Sequence, residues 1–156
     1  MIKLPLLALA CLISTPCFAD NLTGTWKLIS NNYEVQASGE TGPTMGENPS
    51  GYINFTSEGR VFVVFSASNR KPAKTEQEKA ALIASLTAYT GKYKVDGSTF
   101  TTDVDVAWTP EIVGTPQKRE FKVDGDKLQI VTVPRVSPNL ADKAMTRGVL
   151  SFERVK

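Results

Sequence analysis

The chain has 156 residues, a length that suits one domain, with 18 Lys and Arg against 16 Asp and Glu and no histidine. A balance this close to neutral argues against nucleic-acid binding, which needs a concentrated basic face. The lack of histidine removes the commonest general base and the commonest metal ligand.

Both cysteines, Cys11 and Cys17, fall within the first 19 residues. There Met1-Ile2-Lys3 supplies a positive start, Leu4 to Ile13 an apolar run broken only by Pro5, and Cys17-Phe18-Ala19 a small-x-small ending. This pattern predicts a secretory signal peptide at 1–19, cut between Ala19 and Asp20, and a periplasmic or secreted product. The run is too short to span a bilayer, so no integral membrane association is expected. Cys11 behind Ala8-Leu9-Ala10 comes near a lipoprotein site, but the apolar run ahead of it is very short for one. The domain at 20–156 then has no thiol, and 17 basic side chains against 16 acidic ones. It forms no disulfide and must rely on its core, burying roughly two-thirds of its unfolded surface. With neither thiol nor imidazole, only oxygen ligands remain for a metal, and neither metal nor cofactor is assigned.

In chain order, residues 20–23 form a polar lead-in, and Gly24-Thr25-Trp26-Lys27-Leu28 opens a strand. Residues 34–50 are rich in Gly and Pro and form a loop too long for a hairpin. Strands follow at 51–56, with Ile53 and Phe55 on one side, and at 60–65. The second, Val61-Phe62-Val63-Val64-Phe65, is apolar on both faces and is expected to be covered on both. After the basic link Asn69-Arg70-Lys71-Pro72, Thr75 and Glu78 make a capping box for a helix over 75–87. Leu82, Ile83 and Leu86 would be its barrel-facing stripe, acting as a lid or as a brace.

The block 88–131 is almost entirely strand. Its pieces are 88–95, 98–108, 117–123 and 127–133, with Val-Asp-Gly turns at 95–97 and 123–125. Alternation puts Phe100, Thr102, Val104, Val106 and Trp108 on one face and Asp103 and Asp105 on the other. A linker at 134–144 precedes the last strand at 145–155. Eight strands result, with the one short helix between strands 3 and 4. That is enough to close an all-β, antiparallel up-and-down barrel wide enough for one small ligand.

The Gly24-x-Trp26 opening looks like the start of a lipocalin-type barrel. The resemblance implies that Trp26 closes the barrel floor beneath an arginine of the last strand. Arg154, on one face with Leu150 and Phe152, is the natural partner for a cation–π stack. Together with Gly24, this pair would hold the fold rather than a ligand. Further matches are Pro49-Ser50-Gly51, Glu58-Gly59-Arg60, Ala88-Tyr89-Thr90-Gly91-x-Tyr93, Pro110 with Gly114-Thr115-x-Gln117-x-Arg119, and Asp124-Gly125-Asp126-x-Leu128. As an ordered set they resemble the bacterial lipocalin-like domain family, in which the ligand is usually unassigned. The family often carries histidine on the strand before the Pro–Gly loop. Here Thr102-Asp103-Val104-Asp105 stands instead, so any histidine chemistry is lost.

Arg119 is the sharpest candidate for function. Lys118, Glu120 and Lys122 alternate outward, so Arg119 falls on the inner face with Phe121 and Val123. A guanidinium there must be paired, or be an anchor for a carboxylate or phosphate such as a fatty-acid head group. The alternative is a structural ion pair, or hydrogen bonds to Tyr and backbone. Tyr89 and Tyr93 would line the cavity, with Trp108, Phe100 and Phe121 completing its wall. Asp103 and Asp105 offer a carboxylate pair, read as a solvated strand face.

The leading expectation is an exported protein that binds a small, mainly hydrophobic molecule inside the barrel. A second is an inhibitor or interaction module meeting a protein partner through the 34–50 loop and residues 20–23. A third, a cofactor-free cyclase or isomerase using Tyr, Asp or Lys, is the least supported without His or Cys, and no catalytic residue is assigned.

Overall fold

A computed structural model describes residues 21–137, 140 and 143–156; the expected leader at 1–19 and Pro138 of the 134–144 linker lie outside the described residues. The strands are β1 (Gly24–Val35), β2 (Thr41–Pro43), β3 (Ser50–Phe55), β4 (Arg60–Ser66), β5 (Leu86–Asp96), β6 (Thr99–Ala107), β7 (Pro116–Asp124), β8 (Lys127–Thr132), β9 (Arg135–Val136) and β10 (Met145–Arg154). One helix, α1 (Glu76–Ala84), lies between β4 and β5, and a single 3₁₀ turn covers Pro110–Ile112. All pairings are antiparallel, in the order β1-β3-β4-β5-β6-β7-β8-β10, and β10 pairs back onto β1. Eight strands therefore close a barrel, and the short β2 and β9 ride on β1 and β10. Closure leaves no free edge in the main wall. Among the described residues no helix is long and apolar enough to cross a membrane.

Alternation decides which side chains enter. In β4, Val61, Val63 and Phe65 are buried while Phe62 and Val64 are exposed. In β8, Leu128 and Ile130 are buried and Gln129 is exposed. Up-and-down topology also sorts the connections. The tight turns after β3, β5 and β7, with Gly59, Gly97 and Gly125 at positive φ, gather at one end beside the start of β1 and the end of β10. The long connections 36–49, 67–85, 108–115 and 133–144 gather at the other.

Rings pack the half of the interior nearer the tight turns. Phe55 meets Tyr93 edge-on at 5.1 Å and Phe100 edge-on at 5.2 Å, and Phe100 meets Phe121 at 6.0 Å. Such contacts add about 0.5–1.5 kcal/mol each beyond area burial. Ile53, Leu28, Leu128 and Phe152 belong to the same core, which continues through Phe65, Ile130, Leu150 and Met45 toward the long connections.

Several sequence expectations need correction. The helix follows the fourth strand of the chain, not the third, because Thr41–Pro43 forms a strand inside the expected loop. The Thr75–Glu78 capping box is present in both directions, but the helix buries no residue. Ile83 is exposed, and Leu86 already belongs to β5, so the stripe does not face the barrel. The 34–50 stretch is no free loop, since Met45 and Pro49 are buried. Residues 21–23 are no polar lead-in, since Leu22 is fully buried in the core. Finally, Gly91 pairs Val104 while Thr90 pairs Val106, so Asp105 is an extra residue in β6. This bulge reverses the alternation. Val106 turns outward, 62% exposed, and does not share the face of Phe100, Thr102 and Val104.

Candidate functional site: an interior arginine above a sealed floor

The tight-turn end is sealed by Trp26. Its ring lies under Arg154, whose guanidinium carbon is 3.9 Å from the ring centroid, and its indole N–H donates to the Leu22 carbonyl at 2.9 Å. Arg154 in turn donates to the carbonyls of Thr23 at 2.8 Å and Asn21 at 2.7 Å. Gly24, at φ +126, is required here, because a Cβ would meet Arg154 Nη1 at 2.8 Å.

Above this floor, beyond the aromatic cluster, β7 turns polar side chains inward into an otherwise apolar core. On β7, Phe121 packs in the aromatic cluster, and Arg119 and Gln117 follow on the same face toward the long connections. Arg119 is half-buried, paired in register with Phe100 and Thr132. Its Nη2 donates to Gln117 Oε1 at 3.0 Å and its Nη1 to the Lys118 carbonyl at 2.7 Å. Gln117 is itself held, since its amide donates to Thr115 Oγ1 at 2.8 Å. Among the described residues no carboxylate pairs with Arg119. Burial pushes its pKa down from the ordinary value, Tyr89 offsets part of that, and the nearby Arg135 adds to it. Burial likewise pushes the Tyr89 phenol up, with Arg119 in opposition. Arg119, Tyr89 and Arg135 thus share one electrostatic neighbourhood at the long-connection end.

Thr102 lies beside them, paired with Tyr93 and Gln117, fully buried, its Oγ1 without a hydrogen-bond partner. Sequence reasoning assigned no role to Thr102 or Gln117. Their alternation with Phe100 and Arg119 was the available signal; the missing partner could be seen only in three dimensions.

The proposed wall divides. Tyr89 stands near Arg119, whereas Tyr93, four residues closer to the floor, donates its hydroxyl to the Thr56 carbonyl at 3.1 Å. Phe100 and Phe121 are buried in the packed aromatic cluster. Trp108 lies one residue past β6, its N–H donating to the Ala88 carbonyl at 2.8 Å. Trp108 is half-buried, and the bulge at Asp105 shifts its phase relative to Phe100 and Val104.

Asp103 and Asp105 do not work as a pair. Asp105 accepts two hydrogen bonds from Arg60, at 2.7 and 3.0 Å, which lower its pKa. Among the described residues no three acidic, His or Cys side chains converge as a metal site. One external hollow, of about 300 Å³, lies between the 67–73 link and α1; another, of about 130 Å³, lies over β7 and β8. Neither is lined by Arg119 or Tyr89.

A closed eight-stranded antiparallel barrel with a Trp–Arg floor and an arginine turned inward belongs to a class of small barrels whose fold suits ligand binding in general. The family of lipocalin-like domains matches residues 23–155, and the chain belongs to that family. No curated protein matches the sequence.

Proposed function

We propose that this protein, exported through a leader at 1–19, holds a small, mainly apolar, anionic molecule in the half of the barrel nearer the long connections. Membership of the lipocalin-like domains supports ligand binding in general. The observation that carries the anionic class is Arg119: an inward guanidinium whose partners are a neutral amide and a backbone carbonyl of its own strand. A half-buried cation with no carboxylate partner among the described residues has lost hydration without full compensation, and an entering carboxylate supplies it through charge-assisted bonds. Tyr89 forms the adjoining wall, and the hydroxyl of Thr102 offers a second hydrogen bond. The aromatic cluster beneath limits how deep an acyl chain can reach.

Of the two contact elements of the interaction-module reading, Leu22 is core, whereas the 34–50 stretch is anchored by β2, Met45 and Pro49 and keeps most of its other side chains exposed. Native mass spectrometry of protein purified from its own host tests the carrier reading. A bound acid of fatty-acid size is expected, and delipidated protein that takes up no such acid would count against it.

A further inference from the structure

β4 is apolar on both faces, and its outer face is bare: Phe62 is 46% and Val64 54% exposed. Its neighbours extend the patch. Tyr52 pairs Val64, which pairs Ala88; Phe62 pairs Thr90, which pairs Val106 across the bulge. Tyr52 is 51% and Val106 62% exposed. The two rows are adjacent on one side of the sheet, so β3 to β6 present one continuous apolar surface.

We infer that this surface is a self-association face, on which a second copy of the chain packs its own β3–β6 wall across a two-fold axis. The closed main wall has no edge strand, and the free edges are those of the three-residue β2 and two-residue β9, so association through β3–β6 is face to face. With about half of each ring or branched side chain in solvent, the patch exposes on the order of 400 Å² of apolar surface per copy, at the scale that marks interaction sites. Two copies bring on the order of 800 Å² together, and the surrounding polar rim extends this toward the ~1,200–2,000 Å² of a stable interface. The rim favours another copy over a lipid surface. Arg60, Lys92 and Asp103 stand in one register row, with Asp105 held by Arg60. Two cations and two anions balance there, which suits an isologous contact, whereas an anionic bilayer selects a basic cluster.

Sedimentation velocity on the purified protein, from about 1 to about 100 μM, tests the inference. Wild type is expected to pass from monomer to dimer in this range, and Val64→Lys to raise the dissociation constant by about tenfold or more. Val64 is on the outside, so the fold is expected to survive; if it does not, Val106→Lys carries the same test. Gln129→Lys, on the exposed face of β8, is expected to leave dimerisation unchanged. A wild type that stays monomeric throughout overturns the inference. A Val64→Lys variant that dimerises as tightly overturns it too, as does a monomer that uses Val64 to bind phosphatidylglycerol vesicles.

Discussion

The guanidinium of Arg154 lies flat over the ring of Trp26, 3.9 Å from its centroid, and ties the first and last strands of the barrel together. The same group donates to the Thr23 and Asn21 carbonyls, so one side chain serves ring, sheet seam and incoming chain. Arg154→Met removes the cation–π contact and leaves two carbonyls short of a donor. It is expected to destabilise the fold by about 2–3 kcal/mol. The check is urea unfolding, in which the midpoint should fall while the slope stays near wild type.

Gly91 supports the bulge that turns Val106 outward. A Cβ at this position would stand 2.1 Å from the Asp103 carbonyl oxygen, a contact with backbone that cannot swing aside. Gly91→Ala should therefore cost about 2 kcal/mol or more, whereas Gly97→Ala, which meets open space in its turn at φ +56, should cost about 1 kcal/mol. Thermal melts of the two variants give the comparison.

Arg60 grips Asp105 across β5, with the Thr90 hydroxyl accepting a third hydrogen bond at 3.2 Å. Because these bonds lower the Asp105 pKa in the folded state, the unfolded chain binds this proton more readily. The resulting stabilisation is present above the ordinary aspartate pKa near 4 and is lost as pH falls through the lower folded value. Asp105→Asn should flatten the loss of stability below about pH 4. Added salt should shrink the difference, since both groups are open to solvent. Urea midpoints measured against pH, with and without salt, test this.

Thr102 is buried with an unpaired hydroxyl. Thr102→Val keeps the shape and removes the desolvation penalty, so the ligand-free protein should gain about 1–2 kcal/mol. If the hydroxyl serves a ligand, the same variant should bind it more weakly. Stability and affinity should then move in opposite directions, a pattern not expected of a purely structural residue.

Much of this barrel was legible as period-two alternation bounded by glycine turns. Trp26, Arg154 and the inward phase of Arg119 follow from strands whose side chains simply alternate. What escaped lies where something local interrupts that count. The extra residue at Asp105 is invisible without the partner strand, so Val106 was placed on the wrong face. Leu22 looked like part of a polar lead-in because its burial depends on Trp26 and Arg154 folding over it. The double-sided apolar run of β4 was read as buried on both faces; the folded chain covers only one. At the candidate site, the sequence shows which residues point inward. It does not show that Tyr93 is already committed to Thr56, or that Arg119 has no carboxylate partner among the described residues.

The central claim is that Arg119 anchors an anion inside the barrel, and titration of delipidated protein with a long-chain fatty acid tests it most directly. The account predicts saturable one-to-one binding of the acid and much weaker binding of the matching alcohol. It also predicts a loss of about 1.5–3 kcal/mol in Arg119→Met, roughly 10- to 150-fold in Kd. Equal affinity of wild type and Arg119→Met for the acid, or no uptake by either, would contradict it.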